Sequence, residues 1–215
     1  MSECDSGGRS RWQAVGRRPV YSGRVRIVSH EVRLPSGAHD SFEVDESIPF
    51  AVAVLLQDRA TEALLLTRQY RYPIDRWIFD LPGGAGEVGE APEAAARREC
   101  EEELGLIPQT MSPLHTFFPN PGRAAWPVHL FFVDTTRPGT AATADEAEQV
   151  ELAHVSVAEL DRLVVAGTIV DPSLLIARTM AAATGLLPPV AGPTSSLQQA
   201  GPASRTASAG TAVIG

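Results

Sequence analysis

Two apolar runs dominate the middle of the chain. FAVAVLLQD (50–58) and EALLLTRQYR (62–71) have strand length and continuous apolar cores, the pattern of strands buried on both faces. Asp58, Arg59 and Ala60 fall between them in a hairpin-like connection. RWIFDLP (76–82) predicts a third, short strand that runs straight into Gly83–Gly84. Upstream, Val25, Ile27, Val32 and Leu34 alternate with polar residues and PSG (35–37) marks a turn, so residues 15–46 read as a small antiparallel β unit. LHTFFP (114–119), VHLFFVDT (128–135) and LAHVSV (152–157) supply further strands.

Three stretches carry helix signals instead. In GGAGEVGEAPEAAARRECEEELGL (83–106), Pro92 suits a first turn, where its missing N–H costs nothing. Ala94–Ala96 favour the helix, and Gly105 falls where a left-handed cap would end it. Ser156 and Glu159 make a capping box for a helix over 158–166, closed by Gly167. Asp171–Pro172 reads as the N-cap and first position of a last helix ending at Gly185. Strands and helices mix without regular βαβ alternation, so the expected class is α+β, a sandwich with a mixed sheet. Residues 47–187 form its main domain. Residues 1–14 and 188–215 are small and polar, and they bury too little apolar surface to offset the entropy of ordering; both are expected to be disordered tails.

Composition narrows the class. The 215 residues suffice for one sizeable core, and 44% hydrophobic content fits a globular chain. A net charge of −8 argues against a nucleic-acid surface, which needs a basic stripe, but not against a nucleotide bound locally. Cys4 and Cys100 show no zinc-type spacing and no context that pairs them, which suits free thiols in a reducing cytosol. The N-terminus has no apolar signal core and no run of 18 apolar residues occurs, so a cytoplasmic protein without a membrane span is expected.

The predicted helix over 92–104 concentrates carboxylates. At 100° per residue, with Glu99 at 0°, Glu103 falls near about 40° and Glu102 near about 300°. Ala96, Cys100 and Leu104 line the adjacent face, which must pack on the sheet. Glu101, at about 200°, points away toward solvent. Like charges at this spacing repel by only about 0.2–0.5 kcal/mol a pair, so a solvated acidic face is one reading. The other is a cation site, since carboxylates crowded at the edge of a core need a counter-charge. Oxygen donors without His or Cys on that face suit Mg²⁺ or Mn²⁺.

The spacing discriminates. Gly84, five residues, Glu90, seven residues, Arg98–Glu99–Cys100, one residue, Glu102–Glu103, one residue, then Gly105–Leu106, resembles position by position the signature of the Nudix hydrolase family. Cys100 departs from the usual aliphatic residue, a place that a small buried thiol can fill. The resemblance implies a Nudix-type α/β/α sandwich that uses Mg²⁺, or alternatively Mn²⁺, to hydrolyse a nucleoside diphosphate linked to another group. It implies Glu99, Glu102 and Glu103 as metal ligands with the Gly83 carbonyl, and Glu103 among the catalytic residues. Glu90 and Arg98 become an orienting pair, with Gly84 and Gly105 structural; Glu87 and Glu93 face solvent.

TRQYR ahead of LPGG, PNPGR after the box and the acidic loop TADEAEQVE (143–151) are similar to the ADP-ribose and nucleoside-diphosphate-sugar pyrophosphatase branch, over roughly residues 20–185. That branch implies a small-molecule nucleotide substrate and a homodimer that exchanges the 15–46 unit. ADP-ribose cleaved to AMP and ribose 5-phosphate is the expected reaction. Another nucleoside-diphosphate sugar or a dinucleotide polyphosphate is the alternative, and a ligand-sensing domain without turnover is a further one. Arg71 would meet the substrate's phosphate or ribose. Glu146 or Glu148 on the acidic loop would position or deprotonate the attacking water; alignment through HVS favours Glu146, while spacing leaves the two exchangeable. Two departures bear on the substrate. Asp80 stands where a glutamate is common, and Trp126 stands four residues past Gly122, where another glutamate is usual. Arg123 and Trp126 are either a phosphate contact and a ring-stacking surface or a loop cation and a core aromatic.

Overall fold

A computed structural model of the chain describes residues 11–140 and 150–190. It opens on a three-stranded antiparallel sheet, β1 (Gln13–Ser22), β2 (Arg26–Arg33) and β3 (His39–Asp45), in that order. This is the unit that the alternation predicts, except that pairing starts earlier: Gln13 and Ala14, placed by sequence in the tail, sit opposite Arg33 and Val32. Within these strands Val28, Ser29 and Val32 are buried, while Val15, Val20, Tyr21 and Phe42 stand exposed. The sheet is fastened to the rest of the molecule at one corner, where Asp45 N–H donates to the Arg123 carbonyl at 2.7 Å and Asp45 bridges to Ala124.

The main domain follows as β4 (Ala51–Gln57), β5 (Leu64–Arg71), β6 (Arg76–Asp80), β7 (Gly83–Ala85), α1 (Pro92–Leu104), β8 (Leu106–Pro108), β9 (Ser112–Phe117), β10 (Val128–Val133) and β11 (Thr136–Pro138). Beyond residues 141–149 come β12 (Val150–Val155), α2 (Val157–Val165) and α3 (Pro172–Ala183). The seven-stranded sheet runs β12-β5-β4-β10-β9, with β6 on β5 and β7 on β4, and β10 lies parallel to β4. The short strands β8 and β11 form a separate two-stranded ladder that the sequence pattern did not indicate. No described helix is long and apolar enough to cross a membrane.

β4 explains the layering. Successive side chains point to opposite faces of a strand. Val52, Val54 and Leu56 pack with Ala95, Ala96 and Cys100 of α1 on one face. Ala53 and Leu55 pack with Leu174, Ala177 and Ala181 of α3 on the other. The absence of alternation in this run is thus the signature of a strand covered twice. A mixed sheet between helical layers is the α+β sandwich expected from the sequence.

The sheet forks. β4 and β5 pair only at Leu56–Leu65 and Gln57–Leu64. Beyond that, β5 leaves with β6 (Thr67 opposite Asp80) and β4 with β7 (Ala53 opposite Gly83). Leu81–Pro82 crosses the opening, with Pro82 accepting from Val54 N–H at 2.9 Å.

Helix ends follow the sequence signals. Gly105 closes α1 at φ +64°, Ser156 caps α2 by accepting from Glu159 N–H at 3.1 Å, and Asp171 caps α3 by accepting from Leu174 N–H at 2.7 Å. One buried feature had no such signal. Arg178 on α3, 2% exposed, donates to both carboxylate oxygens of Asp161 on α2 at 2.8 and 2.9 Å and to the Pro188 carbonyl at 2.9 Å. It ties the two helices to the chain beyond residue 187.

Candidate active site

The site is built where the fork meets α1. A Cβ on Gly83 would run into the Val52 carbonyl and stand 2.8 Å from Ala53 Cα, so only glycine lets β7 lie this close to β4. A Cβ on Gly84 would stand 2.7 Å from the Glu99 carboxylate. The bare loop therefore lets α1 set Glu99 directly against it. Across the fork, Gly83 N–H donates to Glu103 Oε2 at 3.1 Å.

Arg98 braces this loop. Its Nε and Nη2 donate to the two oxygens of Glu90, each at 3.2 Å, and Nη2 also reaches the Ala85 carbonyl at 3.1 Å. Nη1 donates to Glu99 at 2.7 Å and to Glu102 at 3.2 Å. Glu90 accepts from Glu87 N–H at 3.0 Å, and the hydrogen bonds from Arg98 hold its carboxyl below the ordinary range. A planar guanidinium with donors on three nitrogens suits this task, which a lysine could not perform.

The four glutamates of the run differ in environment. Burial pushes the Glu103 carboxyl up to about 7; the charges of Glu99 and Asp80 act the same way, while Gly83 N–H and Arg71 oppose them. Glu101, expected to face solvent, is half-buried, and its Oε1 accepts from Thr140 N–H at 3.5 Å. Glu102 is the exposed one. A helical wheel treats α1 alone and cannot see the segment at residues 139–140 that covers Glu101.

Fit to a divalent cation rests on the donor chemistry. Among the described residues no three acidic, His or Cys side chains are gathered into a ready-made ion site, and Arg98 bridges Glu99 and Glu102. The donors are nonetheless all carboxylate oxygens, and Glu103 is a desolvated carboxyl with one N–H partner among the described residues. A hard cation would supply what that group lacks.

Arg71 lies on the β5 side of the fork. Its Nη2 pairs with Asp80 Oδ2, whose other oxygen accepts from Leu81 N–H at 2.8 Å. Asp80 is buried and lies near enough to Glu103 and Asp171 to raise both carboxyls, while Arg71 lowers both. The sequence marked Asp171 as a helix cap and gave no sign that it faces Asp80, because the two meet only through the fold.

Arg123 and Trp126 stand elsewhere. Arg123 is exposed and, with Ser41, Phe42 and Glu43, lines a polar cavity of about 310 Å³ beside β3. Trp126 packs against the core under α3; its N–H is buried and has no well-formed hydrogen bond among the described residues. No described hydrogen bond links either residue to the α1 carboxylates. Glu146 and Glu148 lie outside the described residues. A larger cavity of about 570 Å³ is floored by Leu56, Leu65, Leu104, Leu106 and Leu152, and none of the candidate metal ligands lines it. Size therefore points away from the carboxylates, and their chemistry locates the site.

The chain was compared with known proteins by sequence and by fold. The chain is 30% identical over 161 residues to an ADP-ribose pyrophosphatase of Bacillus subtilis (strain 168), covering 74% of this chain and 86% of that protein. It is 32% identical over 167 residues to a methanol dehydrogenase activator of Bacillus methanolicus, covering 77% and 89%. The crystal structure of an ADP compounds hydrolase shares the fold, with a TM-score of 0.67 at 18% identity over 85% of this chain and all of that one. The model of the NUDIX domain matches residues 48–172, well over half of the sequence and spanning β4 to the start of α3, and the chain belongs to the NUDIX family.

Proposed function

We propose that the protein hydrolyses the diphosphate bridge of ADP-ribose to AMP and ribose 5-phosphate. The observation that carries this is the half-buried Glu103 beside Glu99 and Glu102 at the fork, with Arg71 on the facing edge. The likeness to proteins named ADP-ribose pyrophosphatase, in Bacillus subtilis and in Mycobacterium tuberculosis, supports the choice of substrate.

Glu99, Glu102 and Glu103, with the Gly83 carbonyl, are the groups that would hold Mg²⁺ or Mn²⁺. A cation held by these groups would supply polarisation of the phosphoryl oxygens and offset the charge that builds on them. The chain's own groups do the rest. Glu90 and Arg98 hold the loop, and Arg71 meets the substrate's phosphate or ribose. Arg123 and Trp126 are kept as substrate contacts, Arg123 for a phosphate and Trp126 as a surface for a base or sugar ring to stack on. Water attacks one phosphorus as the bridging P–O bond breaks, and its proton passes to Glu146 or Glu148. Glu146→Gln is expected to cut turnover about 100-fold or more while metal affinity changes little. If Glu148→Gln does so instead, the roles are exchanged.

Residues 47–187 are the catalytic unit and residues 15–46 a dimer-forming unit that completes the site of a partner copy. A cytoplasmic setting belongs to the same reading, in keeping with a free buried Cys100 and a nucleotide substrate.

The test is a panel of ADP-ribose, other nucleoside-diphosphate sugars and diadenosine polyphosphates with Mg²⁺ and with Mn²⁺, reading phosphate released after phosphatase coupling. ADP-ribose is expected to be turned over best. Preference for another member moves the substrate, and turnover of none favours ligand sensing. The likeness to the methanol dehydrogenase activator supports one second reading, action on a dehydrogenase partner, which a change in such an enzyme's rate on adding this protein would reveal.

A further inference from the structure

We propose that Asp80 is the positioning residue for Arg71, fixing its guanidinium on the Glu103 side of the fork so that its remaining N–H donors meet the substrate diphosphate. This rests on the hydrolase reading above. Arg71 ends β5 just before the turn at Tyr72–Ile74, and its side chain keeps 46% exposure. A long side chain at such a place samples many rotamers, and ordering it on binding costs conformational entropy. Here it is already ordered. Asp80 is buried and is itself fixed by Leu81 N–H at 2.8 Å, so it offers a rigid acceptor to Arg71 Nη2. Arg71 reaches back along the ladder to it, since its register partner is Arg76 and Asp80 lies opposite Thr67. The other guanidinium donors make no hydrogen bond among the described residues.

The surroundings explain why a single tether leaves the arginine available. Three carboxylates from three elements face it: Asp80 from β6, Glu103 from α1 and Asp171 from the start of α3. Asp80 alone bonds it. Glu103 is engaged by Gly83 N–H and Asp171 by Leu174 N–H. Arg71 is thus a cation held near Glu103 with donors to spare, the arrangement that binds a phosphate with little further loss of freedom.

The test compares wild type with Arg71→Ala, Asp80→Asn, Asp80→Glu and the Arg71→Ala/Asp80→Asn pair. ADP-ribose binding is measured by calorimetry in EDTA, where no turnover consumes it, and KM and kcat are measured with Mg²⁺. Arg71→Ala is expected to raise Kd and KM about tenfold or more. Asp80→Asn should raise both about fivefold, with kcat within about twofold. Asp80→Glu restores the carboxylate and should recover part of the loss. The double variant should be no worse than Arg71→Ala, because Asp80 acts through Arg71. Effects of the two single changes that multiply would overturn the proposal, as would Asp80→Asn with wild-type Kd and KM beside an impaired Arg71→Ala. If Arg71→Ala itself binds and turns over like wild type, Arg71 is no substrate contact and the proposal falls with it, although hydrolysis stands. If the wild type shows neither binding nor turnover of any panel member, the hydrolase reading has failed. Should Asp80→Asn fold poorly, Asp80→Ser, which also removes the carboxylate, carries the comparison: unchanged KM with a lowered melting temperature in that variant assigns Asp80 to stability alone.

Discussion

Glu103 holds two requirements in opposition. Its place under the loop removes water from a carboxyl group, and that same removal makes it receptive to a cation. With its carboxyl pushed up to about 7, the folded chain keeps a proton there that the unfolded chain loses near its ordinary value of 4.5. Without metal, stability therefore falls as pH rises from about 4.5 to 7, by a few kcal/mol at most. Glu103→Gln removes that cost and the ligand together. Mg²⁺-dependent hydrolysis should be lost in a steady-state assay, while the metal-free melting temperature at pH 8 stays level or rises. Retained turnover would sink the ligand assignment. The Glu99, Glu102 and Glu103 grouping was legible in the sequence because a helix fixes its own faces at 3.6 residues per turn. The reversal of Glu101 and Glu102 was not, because the segment covering Glu101 belongs to another part of the chain. For the same reason Asp80 and Arg71, nine residues apart on paired strands, gave no local sign of their ion pair.

Helix α3 shows how one element can serve two masters. Asp171 caps it, bonding Leu174 N–H at 2.7 Å, yet burial and the neighbouring Asp80 charge push its carboxyl up to about 6. The folded state again favours the neutral form, so stability falls as pH rises from about 3.8 through 6, and the cost is complete above that. Asn caps helices about as well as Asp and carries no charge. Asp171→Asn is thus expected to melt several degrees higher than wild type at pH 8 and to match it near pH 3.5, read by circular dichroism. A lower melting temperature at pH 8 would mean that Arg71 needs both carboxylates. At this scale the sequence signals that worked were local: Pro92 and Gly105 around α1, Ser156 before α2, Asp171–Pro172 before α3. The three-residue strands β7, β8 and β11 are too short to carry a period, and the β4–β5 fork depends on which strand pairs with which, a choice made by residues far apart in the chain.

In the single chain, the N-terminal sheet has no reason to stay as it is. Ten-residue β1 has no buried position, and Trp12 and Tyr21 are 52% and 56% exposed, next to exposed Val15, Val20, Val25 and Phe42. Trp12 and Phe42 lie ring to ring at 5.0 Å. Monomers seldom leave such a patch in water, and a three-stranded sheet needs a covered face to be stable. A second copy is the occupant that the family resemblance suggests. Light scattering at micromolar concentration is expected to give twice the mass of one chain. Charges at the centre of the patch, in Trp12→Glu/Phe42→Glu, should halve that mass. If the partner's sheet helps build the site, the same variant should lose turnover of ADP-ribose although Glu99, Glu102, Glu103 and Arg71 are untouched. Wild type at the mass of one chain would rule the dimer out. A dissociated variant with full turnover would show instead that each chain works alone, leaving the sheet a role in assembly only.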